Sequence, residues 1–543
     1  MKNQKKESEI RVISLLVILL FAAFLLIPIG RLFIKSFERG GVLTLRNFGE
    51  VLPARGFLTA FKNSILISSC CGILSTLLAF LLAYTIHYSR LPPAFKKLIQ
   101  KAAVLPMLLP TITYGFSIIY SFGKQGLLTR LFGRQLFEIY GFKGLLLGYL
   151  IYTLPVSFLL VCNTMGYIDK KFSVVSRIMG DGPWKTFVGT VVRPLSGTLA
   201  ASFVQCFFLC FTDYGIPASV GGKYEVAATV LYNEMLGSIP NFNRGAVVAV
   251  FMMIPSVLTI ALLHYLEKYN ICYHKVSVIE IQKNRLRDGI LAVGSSLVIM
   301  MVLSVFAVIF IVPLVDAWPY KMSFTLKHVS SVFDDRSLIG VYKNSLLVAG
   351  FTAFAGSLTA YGAALATARS HLPLRIKKAI DGISLITNTI PGMVIGIAYM
   401  LIFSGTALQN TLILIVICNI IHYFSYLMMK NSLTKMNSSW ESTAMLMGDT
   451  WLKTIVRVVT PNAMGTILEV FSYYFVNSMV TVSAVIFIAG ARTMVVTTKI
   501  KELQYYTKFN EIFVLSIFIL LTNLLAKAVL QQQCFVDSLG YQH

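Results

Sequence analysis

Apolar runs long enough to cross a bilayer recur near residues 13–34, 61–87, 101–122, 144–165, 196–217 and 244–266. A second set follows near 290–314, 342–368, 380–405, 409–430, 465–489 and 510–531. A helix of about 20 apolar residues covers roughly 30 Å, the thickness of the hydrocarbon core. A globular core cannot hide twelve such runs. Composition agrees: 56% of the residues are hydrophobic and only 13% charged, against about 25% charged in soluble chains, and mean hydropathy is +0.74. The expectation is an all-α, polytopic membrane protein with about twelve transmembrane helices. The N-terminal run is too long for a signal-peptide core and reads as a retained first span.

The formal net charge of +24 is spread over many short loops. That is the pattern of multi-spanning proteins with positive cytoplasmic loops, and no basic-aromatic platform for nucleic acid accompanies it. Lys2, Lys5, Lys6 and Arg11 place the N-terminus inside, and alternation from there puts the C-terminus inside as well. Cys206 and Cys210 share a helix face, but without a CxxC or a nearby His they read as small apolar packing residues rather than a metal site.

The runs form an internal repeat. "FKNSILISS" from Phe61 and "YKNSLLVAG" from Tyr342 open stretches that align without a gap for about 50 residues, with roughly 14 identities. Shared marks include Asn63/Asn344, Ser64/Ser345, Lys96–Lys97/Lys377–Lys378 and Pro110/Pro391. Each copy holds an even number of spans, so the two six-helix repeats are parallel. The division expected is 1–270 for the first module, 271–289 for a cytoplasmic linker and 290–543 for the second module. The Asn–Ser pair, at the entry to a span, is suited to capping a helix N-terminus.

One loop is also written twice. "RIMGDGPWKTFVGTVVRP" begins at Arg177, and "MLMGDTWLKTIVRVVTP" at Met445. Each reads as a short helix, a break at Gly180 or Gly448 where φ can turn positive, and a second helix before Pro194 or Pro461, a residue tolerated at a first turn. Apolar residues (Met445, Met447, Trp451 and Ile455) beside Lys453 and Arg457 suit insertion into a groove on another protein. This pattern resembles the EAA loop of binding-protein-dependent ABC importer permeases of type I. In this sequence the motif is carried by Ser176, Gly180, Trp184, Lys185 and Pro194 in the first copy, and by Glu441, Ala444, Gly448, Trp451, Lys453 and Pro461 in the second. Neither copy places a Glu at the motif's acidic position, Glu441 standing one residue early. The resemblance covers roughly 55–270 and 335–535. It implies that the loops seat in ATP-binding subunits and that two copies on one chain replace a pair of membrane subunits.

No phosphate-binding loop occurs, since "FGKQG" and "GGKYE" lack its glycine spacing and hydroxyl. The chain is therefore expected to be no enzyme and to hold no cofactor, with ATP and Mg bound by the partner. The expected partners are two copies of the ATP-binding subunit, an extracytoplasmic solute-binding protein and the lipid bilayer, with no nucleic acid. The expected location is the inner membrane. The alternative is an ion-coupled secondary transporter with two parallel six-span halves. Such carriers keep costly ionisable groups near mid-membrane, whereas Asp213 and Glu469 are expected near span ends. A membrane-embedded enzyme lacks any paired His, Asp or Glu set on a span.

The span after each loop is expected to line the pathway. Asp213, Tyr214 and Ser219 are candidates in the first repeat, and Asn477, Ser478, Thr481 and Ser483 in the second. Asp213 is matched to Asn477 and Ser219 to Ser483, with interhelical hydrogen bonding as an equally open reading. The "FVNSMVTVSAVIF" run is similar to permeases for ferric iron and 2-aminoethylphosphonate, with thiamine and polyamine importers next. Residues 218–244 and 490–509 are the expected docking surfaces for the binding protein.

Overall fold

The computed structural model describes residues 2–267, 284–370, 372–437 and 439–540. Apart from two short antiparallel hairpins, Glu38–Arg39 with Val42–Leu43 and Val315–Ala317 with Lys321–Phe324, its regular elements are helices. The expected linker lies outside the described residues as far as 283. Its last residues are already helical, because the Asn284 side chain accepts from the Arg287 N–H at 3.1 Å and caps Arg285–Ile311.

Among the described residues eight helices are long and apolar enough to cross a membrane, or up to eleven if each of three bent pairs is one span. The twelfth expected segment is Thr460–Val480, made more polar by Asn462, Glu469 and Asn477. It ends at Val480 rather than continuing to 489. Glu469, expected near a span end, instead lies midway along a continuous helix from 451 to 480.

The expected spans 101–122 and 380–405 are not straight. Pro93–Leu108 meets Thr111–Phe132 at 114°, and Leu374–Thr387 meets Gly392–Phe403 at 102°. Both corners precede a proline, whose ring drives the residue before it out of the helical region. Leu109 (φ −123°, ψ 149°) and Ile390 (φ −89°, ψ 123°) are both extended. The expected span 409–430 is also bent, by 53° between His422 and Tyr426. No proline causes this. The Tyr474 hydroxyl accepts from the Ser425 N–H at 3.3 Å, replacing a helical bond there. Its counterpart in the first repeat, Phe142–Gly166, stays one helix despite Pro155.

The chain forms two compact units. One comprises 1–44, 331–507 and 517–543; the other comprises 45–330 and 508–516. In the former, the N-terminal helix packs on Arg336–Ala368 and Gly392–Phe403, with Phe21 on Phe424 (4.4 Å between centroids) and Phe24 on Phe403 (5.6 Å). In the latter, Arg285–Ile311 packs on Arg55–Tyr88, where the Thr85 and Ser295 hydroxyls bond at 2.8 Å. The packing units therefore do not follow the repeat boundary at 271–289: each repeat's first span packs with the other repeat's helices.

Inside the unit of 45–330, Arg55–Tyr88 is held to Phe142–Gly166 and Arg193–Thr212 by small hydroxyl side chains. Ser75 bonds Thr153, Ser157 bonds Ser202, and Thr76 bonds Ser202 at 3.0 Å. Small polar residues allow the close helix approach on which packing in lipid depends. Cys71, Cys206 and Cys210 are buried free thiols in this packing.

Candidate functional site

The doubled loop folds twice into the same helical hairpin. Lys171–Ile178 and Ser439–Leu446 form the first arms. Gly180 and Gly448 follow, each with φ of 84°, in the left-handed region that side chains resist. Past each glycine an N–H reaches back across the turn: Asp181 to the Ser176 carbonyl at 3.1 Å, and Asp449 to the Ala444 carbonyl at 3.0 Å. These are the six-to-one bonds of a glycine-terminated helix end.

The same aspartates start the second arm. Asp181 pairs with Lys185 at 2.6 Å and Asp449 pairs with Lys453, each four residues on. Asp181 also accepts from the Ser176 hydroxyl at 2.7 Å. The bond from Lys185, then that from Ser176, hold its carboxyl below the ordinary carboxylate value. Thr450 caps the second hairpin's second arm by accepting from the Lys453 N–H at 3.3 Å. Neither aspartate was singled out by the sequence reading, although the shared "MGD" and "KT" with i, i+4 spacing carry the signal.

The second arm is not a separate helix. Pro183–Thr212 runs on as one helix of 30 residues, and 451–480 does the same. In each, a wide turn, Val188–Val192 or Ile455–Val459, precedes the proline. Pro194 and Pro461 thus lie inside continuous helices rather than at the start of a new one, and the widened turn absorbs the carbonyl that the proline ring would strike.

The hairpin tips are apolar and exposed: Ile178 (80%), Met179 (77%) and Trp184 (74%) in one, Leu446 (89%), Met447 (81%) and Leu452 in the other. The two expected tryptophans are not equivalent. Trp184 stands out, but Trp451 is buried, because it falls three rather than four residues after its glycine. Glu441 does not face outward; it pairs with Arg369 at 3.4 Å.

Beyond each hairpin helix the pathway candidates occupy a second matched construction. Asp213 follows Thr212, and Thr481 follows Val480, each as the residue that ends the helix. The structural partner of Asp213 is therefore Thr481. Asn477 is one turn further back, so the expected matches of Asp213 with Asn477 and of Ser219 with Ser483 are each off by a turn. Asp213 is buried, accepts from the Ile216 N–H at 2.9 Å, and caps the short helix Gly215–Val220. Tyr214 stacks on Tyr232 at 4.6 Å. Ser219 bonds its own helix carbonyls. In the other repeat Ser478 accepts from the Asn419 amide at 2.9 Å, Thr481 is buried, and Asn477 is half-exposed, donating to the Tyr473 carbonyl at 2.8 Å.

At each proline corner a hydroxyl faces a glycine. In the first repeat the hydroxyl is on the corner: a Cβ on Gly215 would lie 2.2 Å from Thr111 Oγ1. In the second it is on the crossing segment: a Cβ on Gly392 would lie 2.6 Å from Ser483 Oγ and 2.9 Å from His422 Nε2. The repeats thus make one close crossing with the hydroxyl and the glycine exchanged.

The Asn–Ser pairs do cap helices, though not their own. Ser64 and Ser345 lie inside long helices, and their hydroxyls accept from the N–H groups of Ala227 at 2.8 Å and Val496 at 2.7 Å. These residues open Ala227–Leu236 and Val496–Tyr505. Asn63 donates to the Glu225 carbonyl, and Asn344 to those of Arg492 and Met494. Tyr505 and Tyr506, in the second expected docking segment, are exposed, whereas Tyr232 is engaged with Tyr214.

Residues 354–532 match the family described as binding-protein-dependent transport system inner membrane component. Over 504 residues the chain is 25% identical to a putative ferric transport system permease protein, FbpB 1, of Haemophilus influenzae, covering 89% of this chain and 78% of that one. It is 24% identical over 500 residues to the ferric transport system permease protein FbpB of Actinobacillus pleuropneumoniae, covering 89% and 72%. The thiamine transport system permease protein ThiP of Haemophilus influenzae is 28% identical over 220 residues, 38% of this chain and 40% of that one. Among solved structures, a bacterial alginate ABC transporter in complex with an alginate pentasaccharide-bound periplasmic protein aligns with a TM-score of 0.43. The identity there is 14%, over 51% of this chain and 99% of that chain.

Proposed function

We propose that the chain is a member of the family of binding-protein-dependent inner membrane components, which residues 354–532 match, and that it is the fused permease of an importer for ferric iron. The family makes it the membrane subunit of an ABC importer, working with an ATP-binding subunit and a solute-binding protein. Iron as the solute is supported by the two ferric permeases that align along 89% of the chain. The expectation of 2-aminoethylphosphonate has no such support.

The observation that carries the reading is the hairpin built twice, with a left-handed glycine, an Asp–Lys pair and an apolar tip in each copy. Two tips of one design ask for two copies of one partner. Each ATP-binding subunit receives one tip in a groove, ATP and Mg are held by that partner, and nucleotide-driven closure moves the hairpins. Because each hairpin's second arm continues without a break into a span, that movement passes along a single rigid helix. The hairpins and both termini then lie on the cytoplasmic side, as the basic N-terminus predicts.

The test is uptake of radiolabelled ferric iron into vesicles containing the permease, its ATP-binding subunit and its binding protein. Uptake should require ATP on the hairpin side and survive collapse of ion gradients. Uptake driven by an ion gradient without the ATP-binding subunit would overturn the reading.

A further inference from the structure

Arg369 directly follows the Arg336–Ala368 helix, and its side chain is only 4% exposed. Its Nη1 donates to Glu441 Oε2 at 3.4 Å, joining the Gly448 hairpin to that helix end. The remaining Arg369 Nε and Nη2 and Glu441 Oε1 are buried with no hydrogen-bond partner among the described residues. A buried pair so incompletely bonded does not recover the desolvation of two charges, so stability does not account for it. It does penalise any displacement, since parting the two groups leaves each charge buried alone. The repeat places Tyr88 and Ser173 at the equivalent positions in the first half, where this pair cannot form. There the Lys170 ammonium lies 5.7 Å from the Tyr88 ring centroid instead.

The same Arg336–Ala368 helix is fastened at its other end. Asn344 and Ser345 bind the backbone of Arg492, Met494 and Val496. This single helix, roughly 50 Å long at 1.5 Å per residue, therefore joins the hairpin to the segment 490–509.

We propose that Arg369 is a positioning residue whose buried pairing with Glu441 locks the Gly448 hairpin to this helix, transmitting hairpin movement to the segment at its far end. The proposal rests on reading the hairpins as ATPase docking sites. Arg369→Gln and Glu441→Gln, singly and together, test it in the assembled importer. Each single variant should lower the iron moved per ATP hydrolysed by about tenfold while the ATP-binding subunit stays bound, and the double variant, with no charge left unpaired, should recover most of it. Arg369→Lys, which keeps the charge, should lose less than Arg369→Gln.

A wild-type ratio in both single variants would overturn the proposal. So would losses in the double variant that simply multiply. Hydrogen exchange of the permease alone in detergent supplies a readout independent of assembly. The single variants should lose protection at 439–450 and not at 171–182, and equal loss at both hairpins would also overturn it. If wild-type permease binds no ATP-binding subunit, the docking reading fails, while the exchange pattern still decides whether the pair fixes the hairpin.

Discussion

The Gly180 and Gly448 hairpins share a backbone to within the same φ and a matching Asp–Lys pair, yet they are anchored by different chemistry. The first hangs below an aromatic arrangement in which Tyr84 stacks on Tyr88 at 4.9 Å and Lys170 lies over Tyr88. The second is held by the buried Arg369–Glu441 pair and a sunken Trp451. Close to Arg369 in the chain, Thr367 accepts from the Tyr426 hydroxyl at 2.8 Å, and Lys430 and Tyr426 both bond Asp381 Oδ1, at 2.5 and 2.7 Å. What is duplicated is the presented surface, and what diverged is how each copy is secured. On the proposed reading, a repeat that docks two copies of one partner has to keep its tips alike and is free to vary its anchors.

The largest effects should come from breaking the shared turn. Gly180→Val and Gly448→Val each force a branched side chain to φ of 84°, costing at least about 1–2 kcal/mol. Each alone should reduce ATP-driven uptake by tenfold or more, with membrane insertion intact by immunoblot. Normal uptake in either variant would show that one hairpin suffices and would sink the paired-docking reading.

The tryptophans sharpen the contrast. Trp451→Ala should destabilise the protein by about 3–5 kcal/mol, the range for emptying a buried aromatic site, and lower its melting temperature in detergent. Trp184→Ala should leave the melting temperature unchanged and weaken capture of the ATP-binding subunit. Reversed results would mean that the second hairpin docks through Trp451 after rearrangement.

A smaller and symmetric effect is expected from Ser64→Ala and Ser345→Ala. Each removes a cap worth about 0.5–2 kcal/mol and should speed hydrogen exchange locally, at Ala227 or Val496. Exchange that changes at neither amide would argue against these bonds in the membrane.

The smallest effect concerns Asp181. Its carboxyl is held low by Lys185 and Ser176, so its contribution to the first hairpin is complete above the ordinary carboxylate value. That contribution is lost as pH falls through the lowered one. Protection at 171–182 should therefore decline on strong acidification, and Asp181→Asn should abolish that dependence.

Much of this was legible in the residues. Apolar run length located eleven of the twelve expected segments that qualify as spans among the described residues, counting each bent pair as one, the aligned "KNS" segments identified the repeat, and Gly180 and Gly448 marked turns that their φ values bear out. Pro110 and Pro391 were noted only as repeat marks, yet a proline's effect on its predecessor is local and could have located both corners. The missed residues fall into two kinds. Asp181 and Asp449 carry a purely local signal, a carboxylate directly after the turn glycine with a Lys four residues on. Arg369 had no sequence signal at all, because nothing near it in the chain shows that Glu441, 72 residues away, will be its partner.

The amino-acid sequence determined what depends on neighbours along the chain: solvent class, duplication, helix breaks and the left-handed turn. Those follow from hydropathy over one helix length and from the sterics of single residues. Tertiary structure decided which helix each serine caps, which compact unit receives each first span, and why one tryptophan faces out while the other is buried. Such outcomes depend on contacts between segments far apart in sequence, where a one-residue offset after a turn is enough to rotate a side chain from surface to core.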